Sequence, residues 1–164
     1  MRFLFIGGGR WRSWLEDTVQ REGLTAVLFK PYQPQERLAF SLAVGDVHLV
    51  SLRPAMEGLV VPSKLYGIAA AGRPCVFIGD ADGEVARLLA RHDIGVTVSP
   101  GDARTLSAAL LGLKKDAGRR EAMGARARKL FSDEFDRPMA MARWEAVLRQ
   151  SASEGIDTTR LKGG

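Results

Sequence analysis

The chain holds one cysteine in 164 residues. Cys75 sits inside an apolar run, Cys75-Val76-Phe77-Ile78, and has no partner for an internal disulfide. That points to a reducing compartment and a buried, inert thiol. No apolar run approaches the ~20 residues needed to cross a bilayer. The opening Met1-Arg2-Phe3-Leu4-Phe5-Ile6 is too short for a signal peptide and runs into Gly7. Only two histidines occur, and no second histidine or cysteine stands at metal-ligand spacing, so no metal cage is expected. His48 lies within an apolar strand and His92 at a helix end, and both read as structural. Aromatics are sparse among the basic residues, which excludes a stacking platform for nucleic acid. No internal repeat or low-complexity tract is present.

What remains is 46% hydrophobic and 26% charged, with a net charge of +5. This is the composition of an ordinary globular domain with a core of normal size. The basic clusters Lys114-Lys115, Arg119-Arg120 and Arg126–Lys129 read first as solvated helix faces. They are also compatible with an anionic membrane surface or a phosphorylated ligand.

Strand and helix patterns alternate. Residues 2–6 read as a buried strand, and Gly7-Gly8-Gly9 turns it into a helix from about Trp11 to Glu22 with Trp11, Leu15 and Val19 on one face. The Trp11/Trp14 pair reads as core and surface filling. Further strands are expected at 25–29, 47–52, 75–78 and 95–98. Helices are expected at 35–43, with Leu38 and Leu42 inward, at 63–71, and at 84–91 with Val85, Leu88 and Leu89 buried. Ser99-Pro100-Gly101-Asp102 reads as a cap opening a helical remainder. Its stripes are Leu106/Leu110/Leu113, Met123/Ala127/Leu130/Phe131 and Met141/Trp144/Leu148. One domain over 1–150 is expected, with 151–164 as a frayed tail. Such alternation predicts a parallel sheet with helices on both faces. Ligands then bind beyond the carboxyl ends of the strands, where loops at 7–10, 30–32, 53–57 and 79–84 should converge on one cleft.

The glycine triplet invites a dinucleotide reading, but the third glycine of that fingerprint would fall at Arg12. Lys30 stands where a ribose-holding acid is needed. A phospho-receiver domain needs carboxylates where the first strand ends, and here that end is glycine. The stretch Glu57-Gly58-Leu59-Val60-Val61-Pro62-Ser63-Lys64 is more informative. Glu57 stands in a loop with no packing reason to hold a carboxylate. Lys64 opens a helix, where the dipole disfavours a cation by about 0.3–1 kcal/mol. A bound phosphate would reverse that penalty and use the free amides nearby. Ser63 can cap the helix or meet the ligand.

At these residues the chain resembles the C-terminal half of GT-B-fold glycosyltransferases of family 4, bacterial surface-polysaccharide type. The resemblance runs through Pro31-Tyr32-Gln33-Pro34, Asp46–Pro54, Glu57–Lys64, Ala70–Pro74 and Asp80–Glu84, and covers nearly everything from Phe3 to about Leu148. It implies a Rossmann-like, donor-binding domain of a retaining enzyme that moves a sugar from a nucleoside-diphosphate sugar to a hydroxyl, with no metal or other cofactor. By the same resemblance Glu57 is the first acid of the family's glutamate pair, touching donor sugar or phosphate. Gly58, Leu59, Val60, Ser63 and Lys64 lie near the diphosphate, Lys30 and Tyr32 border the base, and Gly83 and Glu84 border the other side of the cleft. The second glutamate, the ribose ligand, is replaced by Gly67. The family's first strand–helix unit, with its diphosphate-clamping arginine and lysine, is missing, as is the N-terminal domain that binds a glycan or lipid-linked acceptor. The expected place of work is the cytoplasm, near the inner membrane face. Two alternatives stay open: a non-catalytic nucleotide-sugar-binding module docking on a partner chain, and half of a nucleotide-sugar epimerase.

Overall fold

The computed structural model describes residues 1–153. The elements run β1 (Phe3–Ile6), α1 (Arg12–Arg21), β2 (Val27–Lys30), a 3-10 turn (Gln35–Arg37), α2 (Leu38–Val44) and β3 (His48–Ser51). A second 3-10 turn (Pro54–Met56) leads to α3 (Lys64–Ala70), β4 (Cys75–Ile78), α4 (Glu84–His92) and β5 (Gly95–Val98). Helices α5 (Ala103–Lys115) and α6 (Ala117–Leu130) follow, then a π-turn (Phe131–Phe135) and α7 (Arg137–Ser153). The order agrees with the alternation in the sequence. Helix α7 passes through 151 to Ser153, three residues into the expected tail, and 154–164 lie outside the described residues.

The strands are all parallel but form two sheets, β1-β2 and β3-β4-β5, where one was expected. Among the described residues no strand pairs with the free edge of β1 or of β3. Phe3 of the first sheet and Val47, just before β3, pack against the same apolar cluster.

The three-stranded sheet carries the core. Alternation along β4 sends Cys75 and Phe77 to one face and Val76 to the other. The first face packs on Leu65 and Ile68 of α3, Val85 and Leu89 of α4, and Ala127 and Leu130 of α6. The second packs on Leu110 and Leu113 of α5 and Met123 of α6. These are the stripes that helical periodicity predicts. Leu88 and Leu106 join them half-buried. Asp102 caps α5 by accepting from the Thr105 amide at 2.9 Å, and hydrogen bonds from Thr105 hold its carboxyl below the usual range. Burial pushes the Cys75 thiol up to about 12. A thiol-reactive chromogenic disulfide should therefore label Cys75 only after denaturation. Labelling of the native chain at the rate of a free thiol would contradict that burial.

The two-stranded sheet departs from expectation. Leu4, Phe5 and Ile6 are about 40% exposed, because β1 has a neighbour on one side only and α1 buries no residue. Leu15 and Val19 are half-buried, while Trp11 and Trp14 are exposed and touch edge to face, with centroids 6.3 Å apart. In α2, Leu42 packs on the core and Leu38 points to solvent. The Met141/Trp144/Leu148 stripe of α7 is exposed as well. Periodicity found each of these faces, but among the described residues nothing covers them.

Candidate functional site

The loops after β3 and β4 leave the same edge of one parallel sheet, and a single side chain joins them. The backbone turns at Pro54–Met56, where the Glu57 amide donates to the Pro54 carbonyl at 3.0 Å. Gly58 follows with φ +76°, a left-handed geometry that disfavours a side chain. The turn aims Glu57 across to α4, where its Oε1 accepts from the Glu84 amide at 2.7 Å. Its Oε2 is closed to solvent and has no partner. Gly83, buried beneath it, carries no side chain; a Cβ there would lie 2.6 Å from the Glu57 carboxyl carbon.

The rest of the first loop is open. The Leu59 and Val60 amides turn back onto the Met56 carbonyl, and the Leu65 amide onto Pro62. Among the described residues the amides of Gly58, Val61 and Ser63 find no backbone acceptor. Ser63 and Lys64 are exposed, Ser63 makes no capping hydrogen bond, and among the described residues Lys64 is in no ion pair. Three amides and an ammonium on the loop between β3 and α3 are thus without an internal partner among the described residues. In the second loop the Asp82 amide donates to Asp80 Oδ1 at 2.9 Å and the Gly83 amide to the Asp80 carbonyl at 3.2 Å. The Arg87 guanidinium donates to the Asp82 carbonyl.

Glu57, Gly83 and Glu84 are therefore brought into contact, with Gly58, Leu59, Val60, Ser63 and Lys64 on the loop that Glu57 begins. Lys30 and Tyr32 sit at the carboxyl end of the other sheet. Among the described residues no hydrogen bond or ion pair links them to the first group. Tyr32 lies against Gly7 and Gly8: its ring is 3.0 Å from where a Gly7 Cβ would be, and its hydroxyl is 3.4 Å from the Gly8 carbonyl. Gly7 and Gly8, but not Gly9, are thus in contact with this ring. Arg12 reaches from α1 to the Gly7 and Lys30 carbonyls and to Glu16, so its guanidinium fastens the ends of β1 and β2 together. Gly67, in the place of the second glutamate, faces Leu42, whose Cδ1 would lie 3.0 Å from an added Cβ.

His48 is structural: its Nε2 is 2.8 Å from the Leu42 carbonyl, and burial, with Arg73 nearby, lowers its pKa. Among the described residues no three His, Cys, Asp or Glu side chains gather as a metal site. No helix there is long and apolar enough to cross a membrane. Part of the basic surface is engaged internally: Arg120 on the Leu113 and Lys114 carbonyls, Arg126 on Asp93, Arg128 on the Ala70 carbonyl and Lys129 on Asp133. A cavity of about 450 Å³ opens between Tyr66, Phe135 and the α7 side chains Arg143, Trp144 and Val147, and neither loop lines it. The link from Glu57 to α4 had no strong mark in the sequence. Its one sign was a glycine in the capping position of α4, where a side-chain oxygen is usual.

Known proteins share this sequence and fold. Over 109 residues, 66% of the chain, it is 33% identical to the putative colanic acid biosynthesis glycosyl transferase WcaI of Escherichia coli (strain K12), covering 27% of that protein. It is 34% identical over 104 residues to the probable glycosyltransferase WbjE of Pseudomonas aeruginosa, covering 61% of the chain and 25% of the relative. The chain thus spans about a quarter of the length of these curated relatives. In structure it resembles a sucrose-phosphate synthase from Thermosynechococcus elongatus, with TM-score 0.75 and 21% identity, over 93% of this chain and 39% of that one. It also resembles WaaG, a glycosyltransferase involved in lipopolysaccharide biosynthesis, with TM-score 0.64 and 18% identity, over 82% of this chain and 34% of that one. No protein-family model matches.

Proposed function

We propose, starting from a chain that is related in sequence to glycosyltransferases and has the GT-B fold, that it is the donor-binding half of a retaining enzyme. That enzyme moves a sugar from a nucleoside-diphosphate sugar to a hydroxyl in cell-surface polysaccharide synthesis. One observation carries the reading: on the loop between β3 and α3 the amides of Gly58, Val61 and Ser63 have no backbone acceptor among the described residues, and this loop runs into the exposed Lys64. Charge accumulates on the departing diphosphate as the sugar–phosphate bond breaks. Fixed donors at such a position are worth about 3–4 kcal/mol each in acyl-transfer precedents. In this reading the amides and Lys64 meet the diphosphate, while Lys30 and the exposed Tyr32 border the base. Gly67 contributes nothing to the ribose, since Leu42 occupies the space before it.

The bare edges of β1 and β3 support the reading of a half-enzyme, whose other half brings the acceptor site and a glycan or lipid-linked acceptor. Work at the inner membrane face belongs to the same proposal. It draws on Lys114, Lys115 and Arg119, which make no side-chain ion pair among the described residues.

Calorimetric titration with nucleoside diphosphates tests this. Lys64→Ala should weaken binding about tenfold, or 1.4 kcal/mol. Equal binding by both forms would remove the phosphate assignment.

A further inference from the structure

We infer that Glu57 is a positioning residue: its carboxylate caps α4 from a distance and so fastens the loop after β3 to the loop after β4. The inference uses the donor reading for its purpose, but its geometry stands apart from it. A helix begins with amides that lack intrahelical acceptors, and a side-chain oxygen at the capping position ordinarily serves one of them. Gly83 occupies that position in α4 and offers no oxygen. Glu57, 26 residues earlier in the chain, supplies one at 2.7 Å from the Glu84 amide. Its negative charge also lies at the positive end of the nine-residue helix α4.

Two further observations fix the arrangement. Gly83 leaves only enough room for this carboxylate: a Cβ would fall 2.6 Å from Glu57 Cδ, 2.7 Å from Oε2 and 2.8 Å from Oε1. Oε2 is sealed from solvent with no partner among the described residues, and Oε1 is held by the Glu84 amide. The carboxylate is thus committed to the start of α4. Glu57 therefore acts through the backbone it begins. With its side chain anchored on α4, the turn Glu57-Gly58 is held, and the amides of Gly58, Val61 and Ser63 keep one direction relative to Lys64.

Amide hydrogen exchange by NMR on the whole 164-residue chain tests this with no ligand present. In Glu57→Ala the Glu84 amide should exchange at least about tenfold faster, as expected for loss of its only acceptor. The amides of Gly58 to Ser63 should lose a single set of sharp signals. Gly83→Ala should reproduce both effects by displacing the carboxylate, and Glu57→Gln should rescue most of each through its amide oxygen. If Gly83→Ala does not fold, the two Glu57 variants decide. Unchanged exchange at Glu84 in Glu57→Ala overturns the cap. A lost cap with an unaltered Gly58–Ser63 loop overturns the fastening. A second arm titrates wild type and variants with UDP and GDP. Parallel weakening in Glu57→Ala and Gly83→Ala, with near-normal binding by Glu57→Gln, supports the link to the donor site. Absence of binding by wild type would count against the donor reading, leaving the exchange result to judge the cap by itself.

Discussion

Alanine at Gly124 should destabilise the chain by about 3 kcal/mol, although a helix interior normally favours alanine over glycine by about 1 kcal/mol. The reason is the closeness of α6 to the turn before β4. A Cβ on Gly124 would lie 2.2 Å from the Gly72 carbonyl oxygen and 3.0 Å from its carbon. Both are backbone atoms, and Gly72 is fixed at φ +65° where it ends α3. The Arg128 guanidinium bonds to the Ala70 carbonyl one turn further along the helix, so α6 cannot move off without losing that contact too. The clash therefore exceeds the propensity gain. For a domain of this size the melting temperature should fall by roughly 6–12 °C. Gly112 in α5 is the control, since an added Cβ there meets nothing within 4 Å. Gly112→Ala should gain about 0.5–1 kcal/mol by propensity. Thermal unfolding followed by circular dichroism measures both. A Gly124→Ala melting point equal to wild type would mean that α6 and the Gly72 turn do not approach as described.

Truncating Phe77 should cost as much or more, about 3–5 kcal/mol. The ring is fully buried in the centre of β4 and belongs to the cluster formed by α3, α4 and α6. It also lies under Gly79, where a Cβ would come 2.3 Å from the ring edge. The strand end that launches the Asp80–Glu84 loop is thus shaped around this side chain. Urea titration should show a lower midpoint at little changed slope. A loss under about 1 kcal/mol would show that the cavity collapses, which is incompatible with a ring packed from both sheet edge and helices. Because Asp80 orders the loop that ends at Gly83, Phe77→Ala should also weaken the Glu57–Glu84 bond, read as faster exchange at the Glu84 amide.

The legible part of this molecule is the three-stranded sheet and the helices packed on it. Val76, Phe77, Leu89, Leu110, Leu113 and Met123 are buried as their periodicity predicts, because each has a matching face within the chain. Asp102 caps α5 as its position before an apolar stripe implies. The misread elements share one cause. Phe5, Trp11, Leu38 and Trp144 have the spacing of buried residues, but spacing records only that a face is apolar and not whether its cover is in the same chain. Pairing was hidden for a related reason: alternation marks β1 and β3 as strands without saying that, among the described residues, they do not pair with each other or through another strand. Glu57 stood out in the sequence as a loop carboxylate with no packing reason, whereas it bonds to the start of α4. That contact was hidden because the helix start without a capping oxygen, at Gly83, lies far along the sequence.

The open flanks of β1 and β3 also bear on how such a polypeptide survives in a crowded cell. Each presents an edge that no described strand pairs with, beside exposed Leu4 and Phe5 on β1 and exposed Leu49 on β3, the kind of template that recruits foreign strands into aggregates. Made alone and at high concentration, the chain should self-associate through these flanks and fall to chaperones and proteases. Synthesis in step with whatever shields them would then be a condition of its solubility, quite apart from any chemistry.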